Sequence, residues 1–419
     1  MTAAPASTDL GPQRGVWLDR RTPPHIVTLV LIAGLGALNM NIFLPSLPSM
    51  ADDFQADYAI VQLTVSAYLG VTAILQLIIG PLSDRYGRRP VMLVSLAIFM
   101  AASLGCVLAP DIVTFLTFRM IQAAIATGIV LSRAVVRDMV STDKAASMIG
   151  YVTMGMALVP MVGPMIGGVL DEWFGWRASF AATMTFGAAV AAIVWADMGE
   201  TNRHRSASIR AQIRTYPELV TSRRFWGYAL AAGFASGSFF AFLGGGPYVA
   251  TDVLGMDPAE LGLYFGLIAL GYMFGNFLSG RFAERLGINF MMTLGGLVAT
   301  AGMSLAVVLF LLGLDHPLSL FGSILFVGVG NGLTLPSANA GMVSVRPHLA
   351  GSASGLGGAI MIGGGAGLSA LTGSLLGPGT GAWPLLLMML LSSILAVAVA
   401  LYVIARERKL SRQGDAPPA

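Results

Sequence analysis

Charge and cysteine are both scarce in this chain. Of its 419 residues only 11% are Asp, Glu, Lys or Arg, against about 25% in soluble domains. A single cysteine, Cys106, excludes an internal disulfide. The four histidines (His25, His204, His316 and His348) are scattered, and no pair has metal-ligand spacing. No Ser/His/Asp set, metal cluster or phosphate-cradling loop appears, so neither an enzyme nor ATP-driven chemistry is indicated, and no metal or cofactor is called for. Acids are missing from the interior of the apolar runs. Asp111, Asp197, Asp252 and Glu260 all lie at run ends.

What the chain has is apolar length. It is 55% hydrophobic, with a mean hydropathy of +0.76. Its apolar runs reach about 20 residues, the length that crosses a bilayer as a helix. Inside lipid only helices or closed barrels satisfy every backbone group. Barrel strands would alternate apolar and polar residues; these runs are solidly apolar, which predicts an all-α membrane protein. The first run is too long for a signal-peptide core and reads as a span.

Twelve spans are expected, at about 26–47, 58–80, 90–109, 112–133, 145–170, 177–198, 225–250, 258–280, 288–313, 318–342, 350–376 and 382–405. Of the 24 Lys and Arg residues, all but Arg119 and Arg177 fall on one side of that pattern. The other side carries Asp52, Asp53, Asp57, Asp171, Glu172, Asp252, Asp257, Glu260 and Asp315. The positive-inside bias predicts that both termini are cytoplasmic. It also accounts for a pI near 9.1 without invoking nucleic acid.

The pattern is duplicated. Gly80, Asp84, Arg85 and Gly87 recur in register as Gly280, Glu284, Arg285 and Gly287, each set directly after a long apolar run. A basic segment at 199–224 divides the chain. The expected organisation is a tail over 1–25, six-helix bundles over 26–198 and 225–405 joined by the 199–224 linker, and a tail over 406–419. Pseudo-symmetric halves of this kind suit a transporter with its site near the midplane.

Arg119 is the eighth residue of the fourth span, about 10 Å below the acidic surface at 1.5 Å per residue. A cation at that depth is costly unless paired or watered, so it is a functional candidate, although a snorkelling arginine would also fit. Asn39, Asn41, Gln62, Gln76, Gln122, Asn276, Asn331 and Asn339 are polar residues within spans that would line a wet path or bind helices together. Phe239 and Tyr264 belong to aromatic groups that would form an apolar wall. Gly244-Gly245-Gly246-Pro247 suggests a hinge.

Together these segments resemble the major facilitator superfamily, and within it the 12-span drug:proton antiporters of the branch named for bicyclomycin and chloramphenicol resistance. Gly80-Pro-Leu-Ser-Asp84-Arg85-Tyr-Gly87-Arg88-Arg89 is similar to the family's cytoplasmic loop signature. The resemblance implies that Asp84 latches onto a helix N-terminus in the other half, with Gly80 permitting close helix approach. Arg119 followed by Gln122 resembles the family's span 4 motif and implies a role in proton coupling or substrate binding. Gly155, Pro160, Gly163-Pro164 and Gly167-Gly168 resemble the antiporter signature of span 5, with Val159 replacing one glycine, and imply a bend and an exporter. Asn41 stands where many relatives carry aspartate, so proton coupling has no obvious carboxylate; Asp111 and Glu260 are the nearest substitutes.

The resemblance implies a monomeric secondary transporter of the bacterial inner membrane. It would exchange a small amphiphilic molecule for protons, with Asn41, Arg119 and Gln122 facing its cavity. A transporter of sugar or amino-acid derivatives is the alternative within the same fold. A receptor or scaffold is the alternative outside it, and would need a tail or loop built for partners.

Overall fold

The computed structural model describes residues 16–140, 142–202, 216–346 and 349–412, with side chains omitted for most of 142–161. The tails and the 199–224 linker are therefore covered only in part.

The described residues are helical with short connections. Eleven helices are long and apolar enough to span a bilayer. We number the long helices α1 (Ile26–Phe54), α2 (Tyr58–Tyr86), α3 (Arg88–Leu108) and α4 (Ile112–Val136). α5 is a 33-residue helix, Thr142–Phe174, standing where the fifth span is expected. α6 (Arg177–Asp197), α7 (Arg223–Val253), α8 (Pro258–Leu286), α9 (Ile288–Leu311), α10 (Pro317–Ser344), α11 (Ser352–Leu375) and α12 (Trp383–Lys409) follow. A short helix, Tyr216–Val220, precedes α7.

Several helices depart from their expected limits, for local reasons. α1 breaks after Asn41, passes through a tight turn at Leu44–Ser46 and resumes at Leu47. Pro45 and Pro48 lack the N–H groups that continuous helix would need. The Gly80–Tyr86 segment, expected as loop, instead extends α2, and Gly280–Leu286 likewise extends α8. Each helix ends on a glycine with positive φ, Gly87 at 103° and Gly287 at 83°, a conformation that side chains resist. The glycine run of α7 stays helical through Pro247; the irregularity follows it, as a wide turn at Val249–Val253. The bend expected at Pro160 and Pro164 interrupts no part of α5.

The packing repeats itself. α1 contacts α4, α5 and α6, as α7 contacts α10, α11 and α12. α3 lies on α4 and α6, as α9 lies on α10 and α12. Across the molecule α2 packs on α11 and α5 on α8, the exchange that a two-fold relation between helices six apart produces. α1, α7 and α10 are the most enclosed, whereas Ile78, Val94, Phe277 and Leu311 expose apolar surface in keeping with lipid contact.

Two ends differ. At the end bearing Asp57 and Asp257, one apolar cluster joins Phe43, Leu47, Val61 and Phe180 to Phe242, Leu243, Val249 and Phe265. At the end bearing Arg88 the core divides into two separate clusters, one built around Leu29, Met92 and Val194 and the other around Phe225, Met292 and Val403. Particular glycines on the helices that cross between the halves differ in the same sense. A Cβ on Gly168 would strike the Pro258 carbonyl, and one on Gly262 the Pro164 carbonyl, whereas Gly80, Gly280 and Gly355 face open space. The acidic end is sealed and the basic end is splayed. Gly80 thus makes no close helix approach here.

Overpacking a close backbone contact costs about 1–3 kcal/mol. Gly262→Val is therefore expected to lower the thermal midpoint of the purified protein, and Gly280→Ala to leave it unchanged. Equal midpoints for both variants would contradict the sealed seam.

Candidate functional site

Arg119 is fully buried and turned inward. Its Nε donates to the Thr64 carbonyl at 3.2 Å, its Nη1 to Asn39 Oδ1 at 3.2 Å and its Nη2 to the Asn39 carbonyl at 3.1 Å. Nη1 also donates to Gln122 Oε1. The guanidinium lies 4.1 Å from the Tyr68 ring centroid and 4.3 Å from that of Phe43, with Phe180 at 5.7 Å. The second layer is ordered too. Gln122 donates to Ser103 Oγ at 2.8 Å, and Asn39 to the Tyr68 hydroxyl at 3.2 Å. None of these partners is a carboxylate. Neutral oxygens and ring faces replace the hydration of the cation, and delocalised guanidinium charge suits them better than a compact ammonium would.

The sequence pairing of Arg119 with Gln122 and Asn39 is thus seen as contact. Snorkelling to the surface is not, since the side chain is sealed among α1, α2, α4 and α6. Thr64, Tyr68, Phe43, Phe180 and Ser103 escaped the sequence reading. Four carry no charge signal, and the Thr64 contact is through its backbone.

Asn41 is also buried. Its Nδ2 donates to the Ala37 carbonyl at 2.7 Å, while its Oδ1 has no hydrogen-bond partner. No hydrogen bond joins Asn41 to Arg119. On the other half Asn331 is buried with an unpartnered Oδ1, and Asn339 is exposed. Phe239 stacks on Phe240 with centroids 5.9 Å apart, and Tyr264 on Phe321 at 5.0 Å. Gln76 and Asn276 are half-buried; Asn276 donates to the Tyr272 carbonyl of its own helix. The predicted polar set is therefore spread over both halves rather than gathered into one pocket. Of the fallback acids, Asp111 caps α4. The Thr114 backbone N–H and hydroxyl hold its carboxyl below the usual carboxylate range. That is the wrong direction for a proton carrier at neutral pH. Glu260 is exposed in the first turn of α8.

The glycines of α5 are contact surfaces. A Cβ at Gly167 would run into the Ile42 carbonyl of α1, and one at Gly163 would press on Leu38. Gly168 rests on α8, and the Pro164 carbonyl lies against Gly262. Small residues here let three backbones meet at van der Waals distance. Gly155 and Pro160 lie outside the residues whose side chains are described. The matching seam between α2 and α11 is polar. Gln62, fully buried, donates to the Ser369 carbonyl at 2.9 Å and its hydroxyl at 2.8 Å, and next to this seam the Tyr58 hydroxyl of α2 donates to the Gly244 carbonyl of α7 at 2.8 Å. In the sequence Gln62 is only one of several amides within spans.

At the basic end, Asp84 pairs with Arg88 at 2.6 Å. Arg88 also reaches Asp138 at 3.0 Å and the Ser83 hydroxyl. Glu200 accepts from the Arg88 and Arg89 backbone N–H groups at 2.9 and 3.4 Å, capping the positive end of α3. Asp84 therefore meets its own helix pair rather than a helix N-terminus in the other half, because this end is open. Arg85, Glu284 and Arg285 are exposed. In the second half Glu407 plays a part like that of Glu200: it accepts from Arg224 and Asn289 at 2.5 Å and from Tyr228 at 2.8 Å.

Lysine cannot reproduce a fork that reaches four oxygens. A buried acceptor left unpaired costs about 1–3 kcal/mol. Arg119→Lys is expected to lower the thermal midpoint well below that of Asn339→Ala on the exposed surface; an unchanged midpoint would contradict the enclosed cluster.

Comparison with known proteins agrees with this geometry. The Major Facilitator Superfamily model matches residues 29–366. A chloramphenicol resistance protein of Pseudomonas aeruginosa is 30% identical over 91% of this chain and 90% of its own. A bicyclomycin resistance protein homolog of Haemophilus influenzae is 27% identical over 93% and 98%. Among solved structures, a bacterial homolog of the human lysosomal transporter Spinster, inward-facing and occupied, superposes with a TM-score of 0.72 at 17% identity. That match covers 94% of this chain and 98% of the other. The resemblance to the bicyclomycin and chloramphenicol resistance branch read from the loop, span 4 and span 5 motifs is thereby sustained. The chain belongs to the major facilitator superfamily.

Proposed function

We propose that this chain exports small amphiphilic compounds, antibiotics among them, from the bacterial cytoplasm by alternating access, driven by inward proton flow. The observation that carries the reading is the asymmetry of the two ends. One is sealed by glycine-to-backbone contacts across α5 and α8, and the other is splayed at Gly80, Gly280 and Gly355. The names of the relatives favour drugs as cargo.

In this reading α5 is a twelfth membrane span, both termini lie at the basic end, and that end faces the cytoplasm. The halves over 26–198 and 225–405 rock as bundles about a site between them, joined by the 199–224 linker, in a monomer embedded in the inner membrane. Cargo enters from the open end past Asn339 and the aromatics around Phe239 and Tyr264. Arg119, Asn39, Gln122 and Asn41 form the polar pole of the site, with Asn331 opposite. An apolar wall with few polar anchors suits an amphiphile. Closure of the basic end breaks the Asp84–Arg88 pair and frees Asp84 for a helix N-terminus of the other half. Arg85, Arg88, Arg89, Glu284 and Arg285 supply charges that rearrange with it. Opening of the acidic end parts Gly163, Pro164, Gly167 and Gly168 from α1 and α8, with Gly155 and Pro160 further along the same helix.

One feature favours a neutral or anionic cargo over a cationic one: Arg119 is buried with no carboxylate in its shell. A metabolite exporter with the same mechanism is consistent with that feature.

Expression in an efflux-deficient bacterium is expected to raise resistance to amphiphilic antibiotics several-fold, with the gain abolished by a protonophore. Unchanged susceptibility across a broad panel would overturn drug export. Resistance that survives the protonophore would overturn proton coupling.

A further inference from the structure

We propose that Asp171 is the proton-binding carboxyl of the sealed end, neutral while that end is closed and ionised when it opens. The inference rests on the alternating-access reading above and names the group through which protons act on it.

Asp171 follows Gly167 and Gly168 by one turn of α5, so it sits beside the contacts that close this end. It is only 8% exposed. Ser49 Oγ of α1 donates to its Oδ2 at 2.7 Å, and the buried Ser46 hydroxyl also favours the carboxylate. Among the described residues no cation pairs with it. The basic residue of that end, Arg177 of α6, is taken by Asp53 at 2.6 Å and lies over the Trp176 ring at 4.2 Å. The other charged groups on the helices packed against α5 at this end are acids: Asp52 and Asp53 on α1, Asp111 capping α4, and Asp257 and Glu260 at the start of α8. Glu172 follows on α5 itself. Burial disfavours the ionised form and outweighs the serine hydroxyls that favour it, holding the carboxyl above its usual range, and that burial is relieved when water enters.

Linkage fixes the direction. A carboxyl that binds its proton more tightly in the closed state makes closure more favourable as pH falls. An exporter that has just released cargo stands open to the outside with Asp171 in water. The carboxylate takes a proton there, and the neutral group is then buried as the gate shuts. No bond other than O–H forms. Toward the midplane α1 carries two further buried polar side chains, Ser46 and Asn41. Reopening reverses the step: water returns to the seam and the carboxyl gives up its proton.

The test uses the full chain in liposomes, with Cys106→Ser and spin labels at Val113→Cys and Leu314→Cys. These exposed positions flank the sealed end on opposite halves. Lowering the pH from about 8 to about 5, a range that brackets a raised carboxyl pKa, is expected to shift the parent toward the short, closed distance. Asp171→Asn is expected to stay short at every pH, Asp171→Glu to keep the response, and Ser49→Ala, which removes the donor that favours the carboxylate, to move the midpoint upward. A parent distance that ignores pH, or Asp171→Asn following the parent curve, overturns the proposal. Failure of the transport reading is separate: there the parent confers no resistance, whatever its distances do.

Discussion

Three backbones meeting without side chains between them determine most of what this molecule can do. Gly167 lets α5 touch the Ile42 carbonyl of α1, and Gly168 and Gly262 let α5 and α8 exchange carbonyl contacts. Lipid provides no hydrophobic drive between helices, so such seams are held by close van der Waals packing and a few polar bonds. They are accordingly strong when seated and inexpensive to part. The second seam, between α2 and α11, is held by Gln62 on Ser369. A contact that is part apolar and part hydrogen-bonded can exchange its partners for water on opening, where a wholly apolar core could not.

The buried arginine is the counterpart of that mobility. A cation at this depth is expensive, and Arg119 is stabilised by four neutral oxygens and three aromatic rings rather than by a carboxylate. A permanent ion pair would be satisfied in every state. A cation held by amides keeps an unneutralised charge, and a cargo or a proton movement can act on that charge without first breaking a salt bridge. Among the described residues the ion pairs lie instead at the two ends: Asp84–Arg88–Asp138, Arg224–Glu407 and Arg346–Glu218 at one, Asp53–Arg177 at the other.

Much of this was legible in the sequence, and the reasons are local. The all-helical class and the positions of eleven membrane-length helices follow from apolar length, and the family from residues such as Asp84, Arg119 and Gly163-Pro164, whose types are unusual where they stand. Helix ends were less legible. Gly80–Tyr86 reads as a polar loop, yet it is helix, because a charged segment beyond the bilayer still satisfies its backbone by continuing the turn until Gly87 stops it. The partners of Arg119 were only half visible: Asn39 and Gln122 are polar, but Phe43, Tyr68 and Phe180 are indistinguishable from lipid-facing aromatics until the helices are packed. The Asp84 contact could not be read because it depends on which end is open. In the sequence Asp171 is one acid among several at its end, and its burial against Ser49 of α1 emerges only when the helices pack.

The most direct test of the account is one-sided access to its cavity. In a Cys106→Ser background, Asn339→Cys should react with a membrane-impermeant thiol reagent supplied from the cytoplasmic face. It should resist the same reagent from the outside, and cargo that turns the carrier outward should slow the cytoplasmic reaction. Reaction from the outer face alone, or equal reaction from both faces at rest, would contradict a carrier sealed at its acidic end.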